Sequence, residues 1–375
     1  MALLAFCVAA VGVALVVPRA PAIACLLGFQ AAVGADLDVE SPAPAGFRLL
    51  ADEARYGVAR AWHLAGKGRR APAILFVHGV APEGIRDGRI LHAARAFHAA
   101  GFTVVVPELP TLVNPLLEGE ASLAVAGVLR AMTGGAIEGV HPERIGIVGI
   151  SVGGGLALRG CAHFRAAGGV GIRALLLIGA PYDMRRTSVG WFEAEDHAEA
   201  SDGSYTWEVR NAASFARNFL IRAGLRTRLG DDPDLELLAA WMASEPLPTE
   251  PLVGVNSPAA LAIAKLLHAE PAVRAAARER VLADATQRIE SLSPALWLDD
   301  LVHLRGTAVF LLHGHGDPLV PITEAPLLAE RLRKHTVVSV LESHMVGHTS
   351  VNDATLGEKL AHVVQMDDFF RMIGR

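Results

Sequence analysis

The sequence predicts an α/β protein with a mostly parallel sheet covered by helices on both faces. Three observations carry this. Short apolar, β-branched runs alternate with segments of helical apolar spacing. Such alternation implies parallel strand pairing through helical crossovers. The runs are nearly continuous in apolar residues, as strands buried on both faces should be. Finally, 52% of the 375 residues are hydrophobic but only 6% aromatic, so the interior is aliphatic.

Composition excludes several classes. Charged residues make up 19% and the net charge is −5. A disordered chain would be far less apolar. No long basic run is present, which argues against nucleic acid as a partner. Cys7, Cys25 and Cys161 do not form a disulfide framework. The spacing of His313 and His315, with no acidic cluster, is too thin for a metal site, and no metal or organic cofactor is expected.

Residues 1–35 form an apolar segment of their own. Ala2 to Val17 is uncharged; Pro18-Arg19-Ala20-Pro21 interrupts it, and Ala22 to Ala35 is apolar again. A spanning helix needs roughly 17–25 apolar residues, and the proline pair would break a longer one. A signal-anchor or short membrane hairpin is the favoured reading. A cleaved secretory signal ending at Val33-Gly34-Ala35 competes with it, although the basic leading region is missing. A buried N-terminal helix is the bland alternative. The acidic Asp36, Asp38 and Glu40 weakly favour an extracytoplasmic body for a single span. Residues 36–46, with Ser41-Pro42-Ala43-Pro44-Ala45-Gly46, read as a linker.

The body follows in order. Val58–Leu64 and Ala73–Val77 read as strands, and Arg89–Ala100 as a helix stopped by Gly101. Thr103–Val106 is a β-branched strand ended by Pro107, and Ala121–Met132 a helix. Arg144–Ile150 is a strand, Leu156–Phe164 a helix and Ala174–Ile178 a strand. Residues 182–299 break the rhythm with helical patterns separated by Asp231-Asp232-Pro233 and Pro246 to Pro258. A segment this long is not a plain loop, so it is expected to be a helical insertion capping the body. The alternation then resumes with Ala308–Leu312, Glu324–Leu332, Val337–Leu341 and Gly357–Ile373. The core thus comprises residues 47–181 and 300–375.

Gly149-Ile150-Ser151-Val152-Gly153 directly follows a strand and precedes a helix. The turn is so tight that the residues two before and two after the serine must be small. The serine then projects from the sheet edge, at a helix N-terminus that favours developing negative charge. An idle serine in a glycine-rich turn is the alternative. A nucleophilic serine needs a base, and the base an orienting acid. Asp317 is the only carboxylate in His313-Gly314-His315-Gly316-Asp317-Pro318-Leu319-Val320-Pro321, after a late strand. A turn-forming Asp before Pro is its bland reading. The base should follow the last strand, where His348 is preferred and His344 is the alternative. Backbone donors for an oxyanion would come from Val152 and from Val80, behind His78-Gly79. Glu108, at the end of another strand, either lines the pocket or is a surface carboxylate.

These segments, with Leu75-Phe76-Val77-His78-Gly79, resemble an α/β-hydrolase, nearest the dienelactone-hydrolase-like esterases. The resemblance covers roughly residues 55–180 and 295–373. It implies Ser151, Asp317 and His348 as a triad acting on a small-molecule ester or acyl substrate. Dienelactone hydrolases carry Cys as nucleophile, so serine here favours ester chemistry. A peptidase or acyltransferase with the same triad, or a catalytically silent membrane-tethered binding module, remains open. Neither the natural substrate nor the oligomeric state is encoded in these motifs.

Overall fold

The computed structural model describes residues 19–33, 46–81, 83–113, 121–188, 207–243, 253–267, 271–347 and 354–374. Eight strands form one sheet: β1 Arg48–Leu50, β2 Ala61–Leu64, β3 Arg70–Val77, β4 Thr103–Pro107, β5 Gly139–Ile150, β6 Ile172–Ile178, β7 Ala308–Gly314 and β8 Val338–Ser343. Their order is β1-β2-β4-β3-β5-β6-β7-β8. β2 is antiparallel to both β1 and β4, and the other pairs are parallel. The mostly parallel sheet expected from the sequence is therefore present, with an antiparallel edge.

The described helices of nine residues or more are α1 Ala20–Val33, α2 Gly88–Ala99, α3 Ala121–Thr133, α4 Val152–Ala166, α5 Trp207–Leu229, α6 Leu235–Ala243, α7 Pro258–Leu267, α8 Pro271–Glu290, α9 Glu324–Leu332 and α10 Leu356–Met372. They cover both sheet faces because successive strand side chains point to opposite sides. Along β3, Ile74 and Phe76 enter one core, with Phe97, Phe102, Phe369 and Phe370. Leu75 and Val77 enter the other, with Leu129, Leu158 and Leu328. The first core is faced by α1, α2 and α10, and the second by α3, α4 and α9. Phe102 and Phe370 are tilted rings with centroids 4.7 Å apart. Truncating one such buried ring costs about 3–5 kcal/mol.

The described residues of the inserted region are mainly helical, as expected. α5, α6 and α8 enclose a small core of their own around Ile221, Leu238, Met242 and Val281. Ala216, Phe219, Leu220, Ala285 and Ile289, on other faces of α5 and α8, join the main core. The insertion is thus fused to the body rather than suspended above it.

The second apolar run of the N-terminal segment forms α1, which packs on α2 and α10. Ala22 and Cys25 are fully buried there, and burial pushes the Cys25 thiol far up. A Cβ at Gly28 would lie 2.8 Å from Ala96 Cβ, so the helices are close. α1 has 14 residues. Among the described residues no helix is long and apolar enough to cross a membrane. Ala2 to Val17 and Ala35 lie outside the described residues.

Candidate active site

β5 ends at Ile150 and α4 begins at Val152, so a single residue turns the chain from strand to helix. That residue is Ser151, with φ 54° and ψ −132°. Among the described residues it is the only non-glycine with positive φ. Such backbone costs a non-glycine residue about 1–3 kcal/mol and persists where surrounding structure enforces it. Here the Ser151 N–H donates to the Ile178 carbonyl at 2.8 Å, and the Ser151 carbonyl accepts from Gly154 N–H at 2.8 Å.

The small residues around the turn each make room for a neighbour. A Cβ at Gly149 would stand 2.7 Å from Gly154 Cα. One at Gly153 would collide with the carbonyl oxygen of His78. One at Gly154 would stand 2.6 Å from Ala180 Cβ, and one at Gly155 would stand 2.9 Å from the Leu292 carbonyl oxygen. Three consecutive glycines thus let three segments meet the first turn of α4: the loop after β3, the loop after β6, and the end of the insertion.

The loop after β3 carries His78, Gly79 and Val80. A Cβ at Gly79 would lie 3.1 Å from Ser151 Cβ, so this backbone runs against the serine. Val80 follows directly. Val152, the first residue of α4, is 5% exposed; its amide has no acceptor within the helix, as at any helix start. His78 is fully buried with Nδ1 2.6 Å from the Gly79 carbonyl oxygen. Burial pushes its pKa down, so it is neutral, and its Nε2 has no hydrogen-bond partner among the described residues. It shapes the loop rather than carrying a charge.

Asp317 lies three residues beyond β7, two strands from β5. Ile150, Ile178 and Leu312 are level across β5, β6 and β7, so Ser151 and the loop holding Asp317 leave the same sheet edge. The Asp317 side chain is 2% exposed. Its Oδ1 accepts the N–H groups of Leu319 at 2.9 Å and Val320 at 2.8 Å. The carboxylate is therefore fixed in orientation through one oxygen. His313 Nε2 donates to the Val320 carbonyl at 2.9 Å and lies 3.7 Å from Asp317 Oδ2. It braces the same turn.

The two histidines proposed as base differ. His348 lies outside the described residues. The chain leading to it is described as far as Gly347. A Cβ at Gly314 would collide with the Val346 carbonyl oxygen and stand 3.4 Å from Gly347 Cα. Residues 346–347 are thus laid across the end of β7. His344 is 72% exposed in its side chain, with Nδ1 3.0 Å from Glu358 Oε1. Its ring stacks on His315 at 4.2 Å between centroids.

Glu108 is held by Arg60 through two hydrogen bonds of 2.6 and 2.7 Å. A residue missed by the sequence analysis stands out beside the site. Glu324, at the start of α9, is fully buried. Its Oε2 accepts the N–H groups of Tyr182 at 2.9 Å and Asp183 at 2.8 Å, and its Oε1 binds Arg186 at 2.7 and 2.6 Å. It ties the loop after β6 to the helix that follows the Asp317 loop. Nothing local in the sequence marks it, since a Glu at a helix start is commonplace. Cys161 is buried, with its thiol pushed up to about 12 by desolvation, and is a core residue.

No protein-family profile and no curated protein matches the chain. Solved structures do resemble it. A hyperthermophilic esterase from Pyrobaculum calidifontis aligns over 95% of this chain and 92% of its own, with 14% identity and a TM-score of 0.50. Carboxyl esterase 2 from Tuber melanosporum aligns over 90% and 89%, with 14% identity and a TM-score of 0.47. A puromycin-hydrolyzing peptidase of Mycobacterium tuberculosis aligns over 89% of this chain and 41% of its own, with 17% identity and a TM-score of 0.45. At these identities the likeness concerns fold. Strand order, the antiparallel β2 and the match to the Pyrobaculum structure together identify the chain as one with the α/β-hydrolase fold.

Proposed function

We propose that the protein is a serine hydrolase cleaving carboxylic esters through an acyl-enzyme. The observation that carries this reading is Ser151. It holds a strained backbone at a one-residue strand-to-helix turn, packed against Gly79. Strain of this kind clusters at functional sites. In this reading Ser151 Oγ attacks the carbonyl carbon. His348 takes its proton and returns it to the leaving alkoxide. Asp317, anchored through Oδ1, orients the imidazole and stabilises its cation with the other oxygen. The Val80 and Val152 amides receive the oxyanion. Water then attacks the acyl-enzyme, with His348 again as base, and releases the acid. The residues require no cofactor.

The run of chain across Gly314 supports His348, because it delivers the backbone to the end of the strand that precedes Asp317. His344 is engaged with Glu358 and His315, which argues for a structural part. The dienelactone-hydrolase-like assignment rests on the motifs alone. A fluorophosphonate probe should label Ser151 in folded protein, and absence of labelling would overturn the mechanism. His348→Ala should abolish turnover, and His344→Ala should retain most of it. p-Nitrophenyl esters set against aminoacyl anilides would separate an esterase from a peptidase.

A further inference from the structure

The loop after β3 is pinned at both ends. At its start the His78 carbonyl oxygen fills the space a Cβ on Gly153 would need, against the first turn of α4. At its far end the Ala81 N–H donates to the Leu112 carbonyl at 3.0 Å. Between the pins lies the Gly79–Val80 peptide. Glycine imposes little backbone preference of its own, so this plane could turn over at small cost. One side chain holds it. His78 Nδ1 is 2.6 Å from the Gly79 carbonyl oxygen. A carbonyl oxygen only accepts, so Nδ1 carries the proton and donates. The other ring nitrogen, Nε2, is buried without a partner among the described residues, so no acceptor there draws the proton away.

We propose that His78 is a positioning residue whose Nδ1–H aims the Val80 amide at the oxyanion. The inference rests on the acyl-enzyme reading above. In a trans peptide the C=O and N–H point in opposite directions. The His78 ring is fully buried, so the Gly79 carbonyl that reaches it points into the protein. The Val80 N–H therefore points outward, at the sheet edge where Ser151 stands. A Cβ on Gly79 would lie 3.1 Å from Ser151 Cβ and 3.8 Å from its Oγ. The amide is also unspent. Val80 N–H has no acceptor among the described residues, although the next N–H, on Ala81, is satisfied. A donor fixed in advance stabilises developing charge without reorienting in the transition state. Turned over, the same peptide would present its carbonyl oxygen to the oxyanion and repel it. His78 thus acts through the Val80 amide and not on the substrate itself.

The test uses the full chain with p-nitrophenyl acetate and a fluorophosphonate probe. His78→Asn keeps an N–H donor at the place of Nδ1, His78→Gln puts its amide at the place of Nε2, and His78→Leu has neither. Urea unfolding first shows which variants are folded. Removing an oxyanion donor outright costs about 10²–10³ in kcat. Misaiming one should cost less: His78→Leu is expected to lose kcat about tenfold to a hundredfold, with KM changed by less than about twofold. His78→Asn should recover most of the loss and His78→Gln little of it, and labelling rates should follow the same order. If the leucine variant does not fold, the contrast between asparagine and glutamine decides. A folded leucine variant with the parent's kcat, a rise in KM alone, or equal recovery by both amides would overturn the proposal. Magnetic resonance of the parent with isotope-labelled histidine nitrogens reads the tautomer directly. A proton on His78 Nδ1 is expected, and one on Nε2 instead would also overturn it. A parent that hydrolyses the ester and is labelled while these results fail removes His78 alone. A parent that does neither removes the acyl-enzyme reading and this inference with it.

Discussion

The carbonyl oxygen of His78 fills the space in which a Cβ on Gly153 would stand. The loop beside the nucleophile and the first turn of its helix are therefore in backbone contact. Their distance sets where any oxyanion donor on Val80 lies relative to Ser151. Gly153→Ala must push the two apart. The expected cost is about 1–3 kcal/mol in stability, as for overpacked cores. The loss in activity should be larger than stability explains. Urea unfolding and fluorophosphonate labelling on one sample check this. Labelling at the normal rate in a folded Gly153→Ala protein would separate this contact from the chemistry.

Ser151 itself carries a testable strain. Its φ of 54° and ψ of −132° suit glycine. Ser151→Gly and Ser151→Ala should both lose labelling. They should differ in stability, with the glycine variant about 1 kcal/mol or more above the alanine variant. Thermal unfolding compares them. Equal melting temperatures would mean that the turn relaxes at little cost.

What the sequence revealed depended on whether the physics was local. The turn at Ser151 and the loop of Asp317 were legible because each is built within a few residues of its strand. The order of strands and helices was legible from apolar spacing. β1 was not: Arg48–Leu50 is three residues long and exists by pairing with β2. β5 begins at Gly139, five residues before the apolar run, and contains Pro142. The proline is tolerated because its stretch, between Val140 and Ile145, is skipped where the β3–β5 register shifts. Glu324 was invisible because its partners lie far away in sequence. Only the fold brings Tyr182, Asp183 and Arg186 to it.

Glu324 gives a third prediction. Glu324→Ala leaves two buried N–H groups without an acceptor and frees Arg186 from its partner. The expected loss is about 2–4 kcal/mol, smaller than for a fully buried pair because Arg186 is 45% exposed. Glu324→Gln keeps an acceptor oxygen for the backbone and should recover part of it. Ala180 of the same loop packs on Gly154, one turn from Ser151. Labelling of Ser151 should therefore slow in both variants, and more in alanine. Chemical denaturation of the three proteins, with a loss under 1 kcal/mol for alanine, would refute the role.

The last prediction concerns acid. Ser343 Oγ accepts the Met345 N–H at 3.0 Å and lies 2.8 Å from His362 Nε2. His362 is 3% exposed, and burial pushes its pKa below the usual 6.5, against a weaker opposing pull from Glu358. A group whose folded pKa is depressed contributes its full stability above the unfolded value and loses it as pH falls. The loss here begins near pH 6.5 and runs downward through the lowered value, as His362 is forced to charge inside the protein. Ser343 is the last residue of β8, so the segment leading to His344 and Gly347 should loosen with it. Glu358 acts lower: hydrogen bonds from Thr355 and His344 hold it at about 2, so the helix start it caps is lost only as pH falls from about 4.5 towards 2. His362→Gln cannot charge. Its stability should fall less than that of the parent between pH 7 and pH 5, although it is lower at pH 7. Urea unfolding at both pH values decides the matter, and parallel losses in the two proteins would remove His362 from the account.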